Sequence, residues 1–262
     1  MENENKNSKK SVVIIIVLLL VIASLVGYIV VDKCLSSSNG SNQNSGNTNG
    51  KENVEEKVSF SDSELEKYVN YIKQSSIGPS ALLYNTSYVN VSNLSTADKI
   101  KYIGLLVYSK HTSSSDYMYD IIAESDVKNA LEEVYGPNSY EKTAFNLGCG
   151  DYALNEADGK YYSKTGCGGM SPTSVTNSVI DYTATKSKLE ITTAYVFFDG
   201  STNKIYKDYD KTIALGDYSG SDESTYMKEY IKNNKSNLYH IVYTFESKDG
   251  KNYYFTGFTN NK

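Results

Sequence analysis

Apolar side chains follow three patterns along this chain. From Val12 to Val31 they run for twenty residues without a charge. From about Leu65 to Val134 they recur at helical spacing, and from about Cys149 onward they alternate with polar ones.

The first pattern predicts a transmembrane helix. Twenty residues at about 1.5 Å each span about 30 Å, the thickness of a bilayer's hydrocarbon core. Lys6, Lys9 and Lys10 precede the run, while Asp32 and Lys33 after it cancel. Excess positive charge stays on the cytoplasmic side, so residues 1–11 form a cytoplasmic tail and the bulk of the chain is exported. The expectation is a single-pass anchor at 12–31 in the cell membrane. A cleaved signal peptide is the alternative: its apolar stretch is usually about 7–15 residues, but Cys34–Leu35–Ser36 offers a small-x-small site. Val31, Asp32 and Lys33 before Cys34 do not resemble a lipoprotein signal. Residues 32–57 are rich in Ser, Asn and Gly and contain too little apolar surface to fold, which predicts a flexible linker. Its typical reach is about 25–30 Å.

The second pattern predicts helices. Ser61–Asp62–Ser63–Glu64 has capping-box spacing, followed by Leu65, Tyr68, Val69 and Ile72 on one face. Ser95 to Asp98 is a second cap, before a stripe of Ile100, Ile103, Leu106 and Val107. A third helix is expected from Asp116 to Glu124, with Met118, Ile121 and Ile122 inward. A fourth, about Asp126 to Tyr135, carries Val127, Ala130, Leu131 and Val134 and stops at Gly136–Pro137.

The third pattern predicts hairpins. One joins Cys149–Asn155 to Tyr161–Cys167 through Asp158–Gly159; another joins Leu189–Phe198 to Ile205–Tyr209. The last joins Leu238–Glu246 to Asn252–Phe258 through Asp249–Gly250. A helix, about Asp222 to Asn233, interrupts them with Tyr226, Met227, Tyr230 and Ile231 inward. Helices followed by antiparallel strands make the class α+β, with an extracytoplasmic domain at 58–262 built from helices packed on a hairpin sheet.

Composition narrows the partners. Arg and Trp are absent and Tyr occurs 25 times, a bias that fits an AT-rich bacterial genome. The first 57 residues hold six charges of each sign, so the net −5 falls on the remainder. A weakly acidic domain without Arg is poorly suited to nucleic acid or anionic lipid.

The cysteines carry the sharpest expectation. With Ala157–Gly159 as a three-residue loop, Glu156 faces Lys160, Leu154 faces Tyr162, and Cys149 faces Cys167. If that pair is non-hydrogen-bonded, its Cα atoms stand about 4.5 Å apart, inside the disulfide range of about 4.4–6.8 Å. Disulfides also persist outside the membrane, so a Cys149–Cys167 bond is expected, contributing roughly 3 kcal/mol. A redox pair would sit closer together, as CxxC. Cys34 is left over.

Other candidates are weaker. Gly166, Gly168 and Gly169 flank Cys167 in a GCGG loop that could present backbone amides at a binding edge, although it lacks the Lys and Ser/Thr of a phosphate loop. Tyr161 and Tyr162 offer a phenol on each face of a strand, suited to stacking on sugars or to a protein interface. His111 and His240 lack zinc spacing and a nearby nucleophile motif. Asp217, Asp222 and Glu223 do not match an EF-hand, and no metal or cofactor is expected. The expectation is a membrane-anchored extracytoplasmic binding or interaction domain for a protein, peptide or envelope polymer, rather than an enzyme. The alternatives are a hydrolase or transferase assembled from distant residues and a structural component of an envelope complex.

Overall fold

Helix α1 (Asp62–Tyr71) starts where the chain satisfies its own first amides. Ser61 Oγ accepts from Glu64 N–H, and the Glu64 carboxylate accepts from Ser61 N–H at 2.7 Å. The computed structural model describes residues 56–73, 81–148, 150–164 and 173–262. The anchor, the linker, Cys34, Cys149, Cys167 and Gly166–Gly169 lie outside the described residues. Among the described residues no helix is long and apolar enough to cross a membrane.

Beyond α1 come α2 (Ala81–Asn85), β1 (Tyr88–Asn90), α3 (Thr96–Tyr102) and α4 (Gly104–Tyr108). Ser95 caps α3 as its spacing predicts, accepting from Asp98 N–H. The expected continuous stripe breaks at Ile103 because Leu105 N–H donates to the Lys73 carbonyl at the end of α1 instead of continuing the ladder. Ile100, Ile103 and Val107 are buried all the same.

The expected third helix is not one. Thr112–Ser113 (β2) and Tyr119–Ala123 (β3) form a hairpin, with Ile121 opposite Thr112. Adjacent β-branched Ile121 and Ile122 suit a strand, which sends Ile122 into the core and Ile121 to the other face. Helix α5 (Glu124–Tyr135) follows, buries Val127, Ala130, Leu131 and Val134 as expected, and ends at Gly136 with φ +91°.

Strands β4 (Phe145–Asn146), β5 (Asp151–Asn155) and β6 (Lys160–Lys164) complete a five-stranded antiparallel sheet in the order β2-β3-β6-β5-β4. Its β5–β6 hairpin corrects the expected register by one residue. Asn155 faces Lys160 and Leu154 faces Tyr161, not Tyr162. The loop is four residues long: Gly159 N–H reaches the Asn155 carbonyl, with Gly159 at φ +65°. The left-handed glycine is where the sequence places it, but the turn begins one residue earlier. The pairing arithmetic that set Cys149 opposite Cys167 does not hold for this register.

The larger sheet is built on one long hairpin, β7 (Thr173–Ala184) with β8 (Lys188–Asp199). The sequence reading assigns no strand to β7, because Ser, Thr and Asn dilute its valines. Strands β9 (Lys204–Tyr206) and β10 (Ala214–Asp217), helix α6 (Glu223–Asn234), and strands β11 (Tyr239–Glu246) and β12 (Tyr254–Asn261) follow. The sheet runs β1-β12-β11-β8-β9-β10, and β7 takes the other edge of β8. Residues 189, 191, 195 and 197 of β8 join the main core with helices α1, α3, α4 and α5 and the smaller sheet. Ala194, Val196 and Phe198 face a second cluster closed by Met227 and Ile231 of α6. Burial on both faces explains the unbroken apolar run in β8. The molecule is α+β, as its element order implies, but its strands form two antiparallel sheets where the sequence predicts one.

Candidate functional site

The outer face of the smaller sheet assembles the most exposed aromatic group among the described residues. It begins in the β2–β3 connection, where short polar side chains build a rigid tip. Ser114 Oγ donates to Asp116 Oδ1 at 2.5 Å. Met118 N–H donates to both oxygens at 3.1 Å, and Tyr119 N–H reaches Ser114 Oγ at 3.0 Å. Ser114 N–H donates to the Tyr119 carbonyl at 2.8 Å, closing the loop. The hydrogen bonds from Ser114 and the Met118 amide favour the charged form of Asp116 and lower its pKa.

This scaffold displays apolar side chains to solvent. Tyr117 is 78% exposed and Met118 59%. Tyr117 has φ +58°, a left-handed conformation uncommon for a bulky side chain. Backbone strain of this kind persists only where the surrounding hydrogen bonds hold it, and it concentrates at functional sites. Tyr119 continues the patch along β3 and meets Tyr162 of β6 edge-to-face, with ring centroids 6.3 Å apart at 83°. The Tyr162 hydroxyl donates to Asp158 at 2.5 Å, which raises its pKa and fixes the ring's tilt. Exposed Lys160 and Lys164 share this face with Tyr162 by strand alternation.

The sequence candidates separate. Tyr162 belongs to this surface. Tyr161 does not: it is 0% exposed, packed on Phe145, with its hydroxyl 2.9 Å from that of Tyr140. Tyr140 in turn donates to Glu124, and burial, then the hydrogen bonds to Tyr161 and Glu124, raise the Tyr140 pKa far above its usual value. As a binding residue Tyr161 is therefore corrected to a core residue, because the strand turns its ring inward. Gly166, Gly168 and Gly169 lie outside the described residues, as do Cys149 and Cys167.

Tyr117, Met118 and Tyr119 are absent from the sequence candidates because a helical reading places Met118 inward. The missed signal is Ser114-Ser115-Asp116, turn chemistry in which short side chains bond backbone amides two to five residues on.

The histidines serve local structure. His111 Nδ1 lies 2.8 Å from the Tyr108 carbonyl and its ring stacks on Tyr108. His240 Nε2 lies 2.6 Å from the Lys235 carbonyl. Among the described residues neither comes within ion-pair distance of a carboxylate. Asp222 caps α6 by accepting from Thr225 N–H.

Comparison of the chain with protein-family models, with curated proteins and with solved structures finds no match.

Proposed function

We propose that this chain is a membrane-anchored extracytoplasmic binding domain that engages a protein, peptide or envelope polymer through Tyr117, Met118, Tyr119 and Tyr162. The observation that carries the reading is the tip itself, an exposed Tyr-Met-Tyr run on a hydrogen-bonded scaffold. Aromatic rings and Met supply large apolar contact area at interfaces. A scaffold already ordered before binding lowers the entropy cost of association. The anchor at 12–31 and the linker at 32–57 keep such a surface within reach of the outer membrane face.

The strained backbone provides a clean test. Tyr117→Gly removes the ring and relieves the left-handed strain, which offsets the lost side-chain contact, so the variant should still fold. The full-length protein is expressed in its own membrane with a photo-crosslinking residue at position 118, and at exposed Lys251 as control. An adduct is expected at 118 and not at 251, and Tyr117→Gly should lower its yield roughly 5- to 30-fold, the range of an interface hot spot. Equal labelling at both positions, or an adduct indifferent to Tyr117→Gly and Tyr162→Ser, would overturn the reading.

A further inference from the structure

A second site lies on the larger sheet, at the free edge of β7. In the described residues β8 is β7's only strand partner, and the Val58 amide covers its C-terminal end by donating to the Ala184 carbonyl. Over the middle of β7, helix α1 approaches from one side and α6 from the other. Between them is a cleft of about 90 Å³.

The lining follows from the amphipathic helices. In α1, Leu65 and Val69 turn into the core, which leaves Glu66 and Asn70 on the neighbouring i, i+4 stripe, and Lys73 follows just beyond the helix's last residue. On α6, Met227 is buried and Lys228 follows it at the rim. The floor is the strand itself, at Asn177 and Ser178.

The donors in this cleft outnumber the acceptors offered to them. Among the described residues neither Lys73 nor Lys228 has a carboxylate within ion-pair distance. Glu66 shares the cleft and acts on Lys73 only as a weaker, longer-range attraction. Burial and the neighbouring positive charge of Lys228 lower the Lys73 pKa. The Ser178 hydroxyl is buried and makes no hydrogen bond among the described residues. Buried hydroxyls are nearly always bonded, so an orphan on a residue that lines the same cleft as Lys73 and Lys228 asks for a partner. Two like charges at one cleft, without a counter-ion in contact, ask for negative charge.

We infer that the Lys73–Lys228 cleft is a binding site for a small oxyanion, a carboxylate or phosphate group. The ammonium groups supply charge-assisted hydrogen bonds. The Ser178 hydroxyl and the side-chain amide of Asn70 supply neutral donors and set orientation, while Asn177 turns to the opposite face of the strand, toward Tyr243. The volume suits one such group rather than a large ligand, so the group is either a free small anion or the charged end of something longer. This inference does not rest on the aromatic surface of the other sheet, and either can fail alone.

The test uses the full-length chain in a phosphate-free maltoside detergent, with inorganic phosphate in one series and acetate in another. Ionic strength is held constant with chloride. Saturable chemical-shift changes at the Lys73 and Ser178 amides are expected with at least one anion, together with a rise in melting temperature. Which series saturates more tightly tells phosphate from carboxylate. Lys73→Gln and Lys228→Gln should each weaken binding about 10- to 100-fold, as loss of one charge-assisted bond predicts, and Lys251→Gln should not. Because Lys73→Gln removes a partly buried charge and its repulsion with Lys228, that variant should remain folded. Non-saturable shifts, or the same affinity in Lys73→Gln and Lys228→Gln as in the natural chain, would refute the site.

Discussion

Tyr161 and Tyr162 stand side by side in sequence and have opposite fates. Alternation along β6 sends one ring into the core and leaves the other on the surface, and which goes where depends on strand register. A one-residue shift exchanges the two faces. Removing the Tyr161 hydroxyl alone, as in Tyr161→Phe, should cost about 1 kcal/mol by unfolding in urea, the usual worth of one internal hydrogen bond. Truncation to Ala should cost about 3–5 kcal/mol, because a large cavity opens in the main core. Asp199 sets an acid limit. It is 3% exposed and accepts from Lys211 Nζ at 2.7 Å and from the Ser201 amide and hydroxyl at 3.0 and 2.6 Å. The bond from Lys211, then those from Ser201, hold its carboxyl well below the usual range. A depressed carboxylate stabilises the fold above its unfolded pKa, about 3.9, and loses that contribution as pH falls toward the folded value. Asp199→Asn should therefore melt lower than the natural chain at pH 7, and the gap should narrow below about pH 4, measured by circular dichroism.

Elements whose signals are local were legible. The Ser61 and Ser95 caps, the stripe of α5 and helix α6 lie where periodicity and capping put them, within two residues at their starts. The β8–β9 and β11–β12 hairpins are present, with Gly250 at φ +71° in the second turn. Strands β3 and β7 were not legible, for different reasons. Strand β3 mixes Tyr, Asp and Ile in a spacing that a helix also satisfies. Strand β7 is only half-buried, so its Ser and Thr positions hide the alternation that tells a strand from a loop. Close approach between elements is likewise invisible in sequence. A Cβ on Gly257 would stand 2.2 Å from the Val89 carbonyl oxygen, where β1 pairs with β12. Gly257→Ala should cost about 1–3 kcal/mol, because backbone rather than a movable side chain must give way. Thermal unfolding would reveal it, together with faster amide exchange in β1.

For the molecule as a whole, location remains the premise of its proposed role. Protease added to intact cells should digest the chain beyond the linker, leaving a protected N-terminal fragment. Protection of the bulk in whole cells, with digestion in lysates, would reverse the orientation. The β5–β6 register leaves pairing of Cys149 with Cys167 resting on compartment alone. Alkylation with and without reductant, followed by mass spectrometry, would test that pairing directly. Both cysteines should resist alkylation until reduced if the disulfide forms.

Periodicity along the chain determined the α+β class, most helices and the β8–β9 and β11–β12 hairpins, because those depend on neighbours within about four residues or across one tight turn. It also set out the apolar N-terminal run and the acidic balance beyond it. Tertiary structure decided which tyrosines face solvent, that Tyr117–Tyr119 form a displayed tip, and that Lys73 and Lys228 meet at one sheet edge. Those outcomes depend on register and on helices far apart in sequence packing against the same strand, and neither leaves a local mark.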